Sequence, residues 1–254
     1  MQLLKSMLQH PMTKGLDLDA PETTNLRRDV ILAKPLLRKI YQEWYSLLTA
    51  HIDENVGNVL EIGAGAGISN YSISRLIRSD ILLTKWIDLA CDCQTLPFID
   101  DQLRAIIMID VLHHLPDPGQ FFQEALRCLK TGGIISMIEP WNTNWSSWVY
   151  QNLHHEPFNP GISEWGVIKG GPLSQANGAV PWIIFSRDVN LFNQRFPQFS
   201  IELIKPIMPV VYLLSGGLTY RNFMPAFTYN FWRKLETTFE GQSGMFAHIE
   251  LRKL

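Results

Sequence analysis

The run Val59-Leu60-Glu61-Ile62-Gly63-Ala64-Gly65-Ala66-Gly67 restricts this chain more than any other segment. Four residues alternate little in character and are mostly apolar, as a strand covered on both faces requires. Three glycines at alternate positions then remove Cβ atoms where the backbone must turn sharply and where a ligand must approach the main chain. This is a strand-to-helix turn built around a nucleotide-like ligand. Its spacing separates ligand classes. A dinucleotide fingerprint would place its third glycine where Ile68 stands, and a phosphate loop would need Gly-Lys-Ser/Thr. Neither pattern is present. Glu61, one residue further from the first glycine than Ile62, would repel a pyrophosphate and welcome an ammonium or a hydroxyl. The ligand should carry a positive end.

Further along come Leu96-Pro97-Phe98, Asp110-Val111-Leu112-His113-His114-Leu115-Pro116-Asp117-Pro118, and Leu129-Lys130-Thr131-Gly132-Gly133 followed by an apolar run. With the glycine run, these segments resemble in order the motifs of the class I S-adenosylmethionine-dependent methyltransferases, in the small-molecule branch called type 11. The resemblance spans residues 59 to 139 and is loose in the flanks. It implies an α/β fold with a Rossmann-like seven-stranded methyltransferase sheet closed by an antiparallel hairpin. It implies S-adenosylmethionine as cofactor, S-adenosylhomocysteine as product, and a small acceptor that takes the methyl on oxygen, nitrogen or carbon. A catalytically silent binding protein on the same fold and a nicotinamide oxidoreductase are the alternatives; Ile68 speaks against the latter.

The resemblance also suggests roles. Glu61 would receive the methionyl ammonium, while the main chain of Gly63, Ala64, Gly65 and Gly67 lies along the cofactor. Asp80, at the end of the second strand, would hold the ribose hydroxyls, with Asp88 as the other candidate. Asp92 would accept the adenine amino group and the Cys93 N–H would reach a ring nitrogen. Asp110 and Val111 would lie beneath the methionyl portion, where the acceptor enters. Methyl transfer from a sulfonium is an in-line displacement, so positioning provides much of the catalysis and a base matters only where the nucleophile must lose a proton. The candidates for that base are His113 or His114, Glu139 before Pro140-Trp141, and His155 in the sequence His154-His155-Glu156. A histidine of ordinary pKa would make turnover fall as pH drops through about 6 to 7. Four histidines in two segments could suggest a metal, but adjacent histidines seldom converge on one ion, and none is expected.

Composition narrows the partners. At 254 residues and 46% hydrophobic content the chain can fill the core of one enzyme-sized α/β unit. A net charge of -2, with no dense Lys/Arg block, gives no footprint for nucleic acid. No run approaches the ~18 apolar residues of a membrane span, and no leader pattern opens the chain, so a cytoplasmic protein without integral membrane association is expected. Cys91, Cys93 and Cys128 form no CxxC pair, which argues for reduced thiols rather than a zinc cage.

The organisation reads as four parts of one domain. Residues 1–56 form an arm and a helical lid, the helix starting at Thr23 or Thr24 as N-cap, running to about Ala50, and kinked or split at Pro35. Residues 57–139 hold five strands, at 58–62, 75–79, 87–90, 105–109 and 133–138. Asp80 lies only 13 positions after Gly67, so the first crossover helix should be very short. Residues 140–185 form an aperiodic insertion rich in Trp141, Trp145, Trp148, Tyr150, Trp165 and Trp182, expected to cap the acceptor pocket. Residues 186–254 complete the sheet with a helix capped by Ser186, a strand at 200–204 and a last strand at 244–251. The aromatics at 227, 229, 231 and 232 read as core.

Overall fold

A computed structural model describes residues 19–53, 57–69, 73–154, 156–166, 171 and 173–254. Seven strands form one sheet: β1 (Asn58–Ile62), β2 (Leu76–Asp80), β3 (Leu89–Ala90), β4 (Leu103–Ile109), β5 (Leu129–Pro140), β6 (Phe199–Ile207) and β7 (Phe246–Lys253). Their order is β3-β2-β1-β4-β5-β7-β6, with β7 antiparallel to both neighbours and all other pairs parallel. Parallel strands need covered faces, and the runs Leu103–Met108 and Gly133–Pro140 are buried throughout. The strands fall where the apolar runs put them, within a few residues. β5 begins four residues earlier than expected, at Leu129, because Leu129 itself pairs with Leu103 before a register shift carries Ile134 opposite Ala105.

Two helices precede the sheet, α1 (Pro21–Ala33) and α2 (Pro35–Thr49). Pro35 splits rather than kinks the helical pattern. A proline at the first helical position loses no hydrogen bond, and Lys34, just before it, takes up the extended backbone a pre-proline residue favours. The α1 start differs from the reading above. Ala20 precedes the helix and Pro21 opens it, so Thr23 and Thr24 lie inside the first turn, buried, and neither is the N-cap. α2 buries Leu36, Leu37, Ile40, Tyr41, Trp44, Tyr45 and Leu48, the three-and-four spacing of one helical face.

Among the described residues 63–69 and 73–75, the first crossover contains no helix at all. A turn at Ser74–Arg75, the latter with φ of 55°, delivers the chain into β2. After β4 comes a single 3-10 turn over Leu112–His114 and then α3 (Pro118–Cys128), capped by the Asp117 side chain accepting from Gln120 N–H at 3.0 Å.

The 140–185 insertion is more regular than its composition suggested. It carries α4 (Asn144–Leu153), closed at its start by reciprocal Thr143 and Ser146 bonds. Serine in place of the usual acid at the third helical position hid this box from a pattern search. A second departure follows it. Helical structure begins at Val180, passes through a π-helical stretch at Ile183–Arg187, and ends as α5 (Val189–Arg195), so Ser186 sits within a helical turn and does not cap one.

The remaining elements are α6 (Val211–Ser215), a 3-10 turn at Ala226–Thr228, α7 (Tyr229–Glu236) and α8 (Glu240–Ser243). The core expectation there holds for only part of the segment. Tyr229 is buried and Trp232 packs on the core, but Phe227 and Phe231 are 86% and 67% exposed. The helix presents Tyr229 inward, and a residue two positions away on a 3.6-residue turn points elsewhere.

Candidate active site

The parallel strands end at one edge of the sheet, and a single cavity of about 760 Å³ lies there. Its floor is Glu61 and the Gly63–Ala66 turn after β1, Asp80 after β2, Cys91–Gln94 after β3 and Asp110–Val111 after β4. Its roof comes from outside the sheet, with α1 on one side, α4 and Glu156–Phe158 on another, and Tyr212–Tyr220 completing the wall.

The glycine turn is held by its neighbours. Asp80 Oδ2 accepts from Gly65 N–H at 2.9 Å, its Oδ1 from Leu82 N–H at 2.8 Å, and Thr84 Oγ1 donates to the Gly65 carbonyl at 3.0 Å. A Cβ on Gly65 would lie 2.6 Å from Asp80 Oδ2 and 2.8 Å from Thr24 Cγ2. A Cβ on Gly63 would meet Val111 Cγ2 at 2.4 Å. The glycines thus serve close approach of protein to protein as well as of protein to ligand. Burial pushes the Asp80 carboxyl up, against the pull of the Leu82 and Gly65 N–H groups. Asp88, the other ribose candidate, accepts from Arg78 N–H at 2.9 Å, is exposed, and does not line the cavity.

Glu61 is 4% exposed. Its Oε1 accepts from the Tyr45 hydroxyl at 2.5 Å, and its Oε2 makes no hydrogen bond among the described residues. Burial raises its pKa while the Tyr45 hydrogen bond opposes that rise. Asp92 Oδ1 accepts from Gln94 N–H at 2.9 Å, and Cys93 is buried, its thiol pushed up by burial. Both line the cavity.

α1 closes this half. Arg28 Nη1 donates to Ala66 O at 2.8 Å and to Gly67 O, with its guanidinium 4.0 Å above the Trp86 ring. Arg27 lines the cavity, close enough to Asp80 and Asp110 to stabilise their carboxylate forms. Sequence reasoning named neither arginine. An Arg-Arg pair in a helix reads as a solvated face, and only the crossing of α1 over the glycine turn makes it otherwise.

The His-His loop is built around Glu139. Its Oε1 accepts from Val111 N–H at 2.7 Å and Leu112 N–H at 2.8 Å, and its Oε2 meets His113 Nδ1 at 2.8 Å. Glu139 is fully buried, and both its oxygens are committed. It positions the loop and is not placed to accept a substrate proton, which corrects its candidacy as a base. The Val111 N–H is likewise spent on Glu139 rather than on a cofactor.

His113 faces a second carboxylate, with its Nε2 3.5 Å from Glu156 Oε2. Burial disfavours its charge, but the Glu139 and Glu156 carboxylates beside it outweigh that and raise its pKa to about 10. His114 Nδ1 lies 2.7 Å from the Gln175 carbonyl and its Nε2 3.9 Å from Glu156 Oε1; burial and the neighbouring His113 lower its pKa to about 3. Neither ring keeps the ordinary imidazole value on which a pH profile falling through 6 to 7 depended. Burial also raises Asp110, to about 8, and its Oδ1 is buried without a hydrogen bond among the described residues. Asp110 holds φ of 56° at the end of β4.

The insertion supplies His154 and Glu156 to this end of the cavity, His154 Nδ1 standing 3.8 Å from Glu156 Oε2. His155 lies outside the described residues. The ligating atoms of His113, His114 and Glu156 all lie within 4.8 Å of one another, and His154 approaches the group through Glu156. Sequence reading had Glu156 only as the third member of a His-His-Glu string. Of the insertion's tryptophans and tyrosine, Tyr150 alone lines the cavity, beside Phe158. Trp141 and Trp165 are buried, Trp165 against Phe192, and Trp145 stacks on Trp148 at 6.0 Å and donates to the Pro209 carbonyl, so most serve packing.

Comparison with known proteins agrees with this geometry. Residues 60–137 match a family model described as a methyltransferase domain. No curated protein matches the sequence at a significant level. Among solved structures, a geranyl diphosphate C-methyltransferase from Streptomyces coelicolor A3(2), in complex with Mg2+, geranyl diphosphate and S-adenosyl-L-homocysteine, is similar at 12% identity and TM-score 0.52, over 97% of this chain and 92% of that one. A methyltransferase from Thermotoga maritima, possibly acting on histamine nitrogen, is similar at 13% identity and TM-score 0.51, over 92% of this chain and 94% of that one. Residues 60–137 thus match a methyltransferase domain, and the described residues share the fold of these solved methyltransferases.

Proposed function

We propose that the cavity binds S-adenosylmethionine along the β1–β3 strand ends and transfers its methyl to a small, partly apolar acceptor lodged beneath α4. The observation that carries this is the continuity of one cavity from the glycine turn to the His113–Glu156 cluster. A ligand extended along the floor would set its adenine near Asp92 and Cys93, its ribose near Asp80 and its ammonium near Glu61. A carboxylate offers about four lone-pair sites, so Asp80 can accept ribose hydroxyls while still receiving the Gly65 and Leu82 N–H groups.

The acceptor half is walled by Tyr150, Leu153, Phe158, Tyr212 and Phe246, with the ionisable cluster at one end. Such a wall favours an apolar or aromatic body with one polar terminus. Holding nucleophile and methyl in line within a closed site is worth several kcal/mol, up to roughly 7–11 in the best cases. Positioning is the principal contribution these residues make.

Calorimetric titration with S-adenosylhomocysteine, S-adenosylmethionine and NAD tests the reading. The expected result is micromolar binding of the two adenosyl ligands and none of NAD; binding of NAD alone, or of no ligand, overturns it. Radiolabelled methyl transfer to panels of phenolic, lipid-like and sugar acceptors then identifies the acceptor class.

A further inference from the structure

We propose that His113, His114 and Glu156 form a site for one divalent first-row transition-metal ion at the acceptor end of the cavity. His113 Nδ1 is held by Glu139 at 2.8 Å and His114 Nδ1 by the Gln175 carbonyl at 2.7 Å. A carbonyl can only accept, so His114 carries its hydrogen on Nδ1 and presents the Nε2 lone pair. Glu139 accepts a hydrogen from His113 Nδ1 in the same way. Both Nε2 atoms then point at one carboxylate, 3.5 and 3.9 Å from the two oxygens of Glu156. A metal ion bound there displaces the proton that His113 Nε2 otherwise holds toward Glu156.

A proton on His113 satisfies one of these contacts and leaves the other. The distances also exceed the ~2.7–2.9 Å of a charge-assisted hydrogen bond. Ligands on a common ion with bonds of about 2.0–2.2 Å stand roughly 3–3.5 Å apart, so small side-chain adjustments bring all three atoms onto one centre. Imidazoles whose other nitrogen is fixed by a carboxylate or a main-chain carbonyl are the arrangement in which histidine ligands are oriented in metal sites. Asp110 and Glu139 also stand beside His113, and Asp110 Oδ1 is buried without a hydrogen bond among the described residues. Two imidazoles favour zinc, iron, cobalt or nickel over magnesium, which prefers oxygen. An acceptor bearing an oxygen or nitrogen donor would complete the coordination sphere beside the methyl; that last step rests on the methyl-transfer reading, whereas the metal site does not.

The test is calorimetric titration of chelator-stripped full-length protein with Zn2+, with the visible d–d bands of bound Co2+ as a second readout. One equivalent should bind at micromolar affinity or tighter. His114→Ala and Glu156→Gln should each weaken binding about tenfold or more and change the Co2+ bands, while His51→Ala, which removes an exposed histidine remote from the cluster, should leave both unaltered. Substoichiometric uptake by folded wild-type protein, or variants that bind and absorb as the wild type does, overturns the site. S-adenosylhomocysteine titrated into the same samples separates the two proposals: its failure to bind refutes the cofactor reading while leaving the metal result standing.

Discussion

At the scale of single residues, Gly65 shows how much one absent methyl decides. Its N–H donates to Asp80, its carbonyl accepts from Thr84, and the space a Cβ would need is filled by Asp80 Oδ2 and Thr24 Cγ2. Gly65→Val must displace the carboxylate that would hold the ribose. A hydrogen bond to a charged group is worth about 1.5–3 kcal/mol, so the affinity for S-adenosylhomocysteine should fall at least about tenfold by calorimetry, and a retained dissociation constant would remove Asp80 from the site. The glycine spacing was legible in sequence because the reason for it is local. The partners of Glu139 were not, since Val111, Leu112 and His113 reach it only after β4 and β5 pair.

At the scale of elements, α1 acts as a clamp. Arg28 reaches two carbonyls of the glycine turn and covers Trp86, so its helix and the turn move together. Removing the guanidinium deletes the charge-assisted bonding to two carbonyls and a cation–π contact, together about 2–4 kcal/mol. Arg28→Ala should therefore speed S-adenosylhomocysteine dissociation about thirty- to several-hundredfold in stopped-flow measurements, with a smaller change in unfolding midpoint. Equal off-rates in the two proteins would show that α1 is not a lid. The apolar stripe of α2 was readable from its period, because one face of a helix is set by its own sequence. The sequence suggests a lid for the N-terminal helix, but not that Arg27 and Arg28 are the residues to face the cavity and the turn, because that depends on what the helix crosses.

At the scale of the whole molecule, α2 joins the sheet to the wall of the cavity. Trp44 is fully buried, stacked on Tyr212 at 5.5 Å and against Phe246 on β7 at 4.9 Å. Trp44→Ala should cost about 3–5 kcal/mol in denaturant unfolding, as large-to-small core changes do; a loss below about 1 kcal/mol would mean that this junction is not part of the core. β7 carries a second global feature. His248 is 2% exposed, with Nε2 3.0 Å from Ser136 Oγ, and Glu250, His51 and Lys205 act on it electrostatically. Burial lowers its pKa below the ordinary 6.5, with Glu250 pulling the other way. The unfolded chain then binds the extra proton more readily than the folded one. Stability from this group is complete above about pH 6.5 and is lost as pH falls toward the folded value. Thermal midpoints between pH 5 and 8 should decline on the acid side in the wild type and decline less in His248→Gln; equal slopes would place the acid sensitivity elsewhere.

The sequence by itself determined the sheet and the cofactor turn. Strand runs such as Leu103–Ile109 and the glycine spacing after β1 encode requirements met within a few residues, namely apolar cover on both faces and room for the backbone to turn. The other end of the cavity depends on contacts between residues distant in the chain. His113 and His114 meet Glu156 across 42 or 43 positions of chain because α4 turns the insertion back over β4 and β5, and their tautomers are set by Glu139 and Gln175, groups 26 and 61 positions away. Their protonation changes with that burial and those charges. Neither is a property of a histidine in a string, so no reading of the string could supply it.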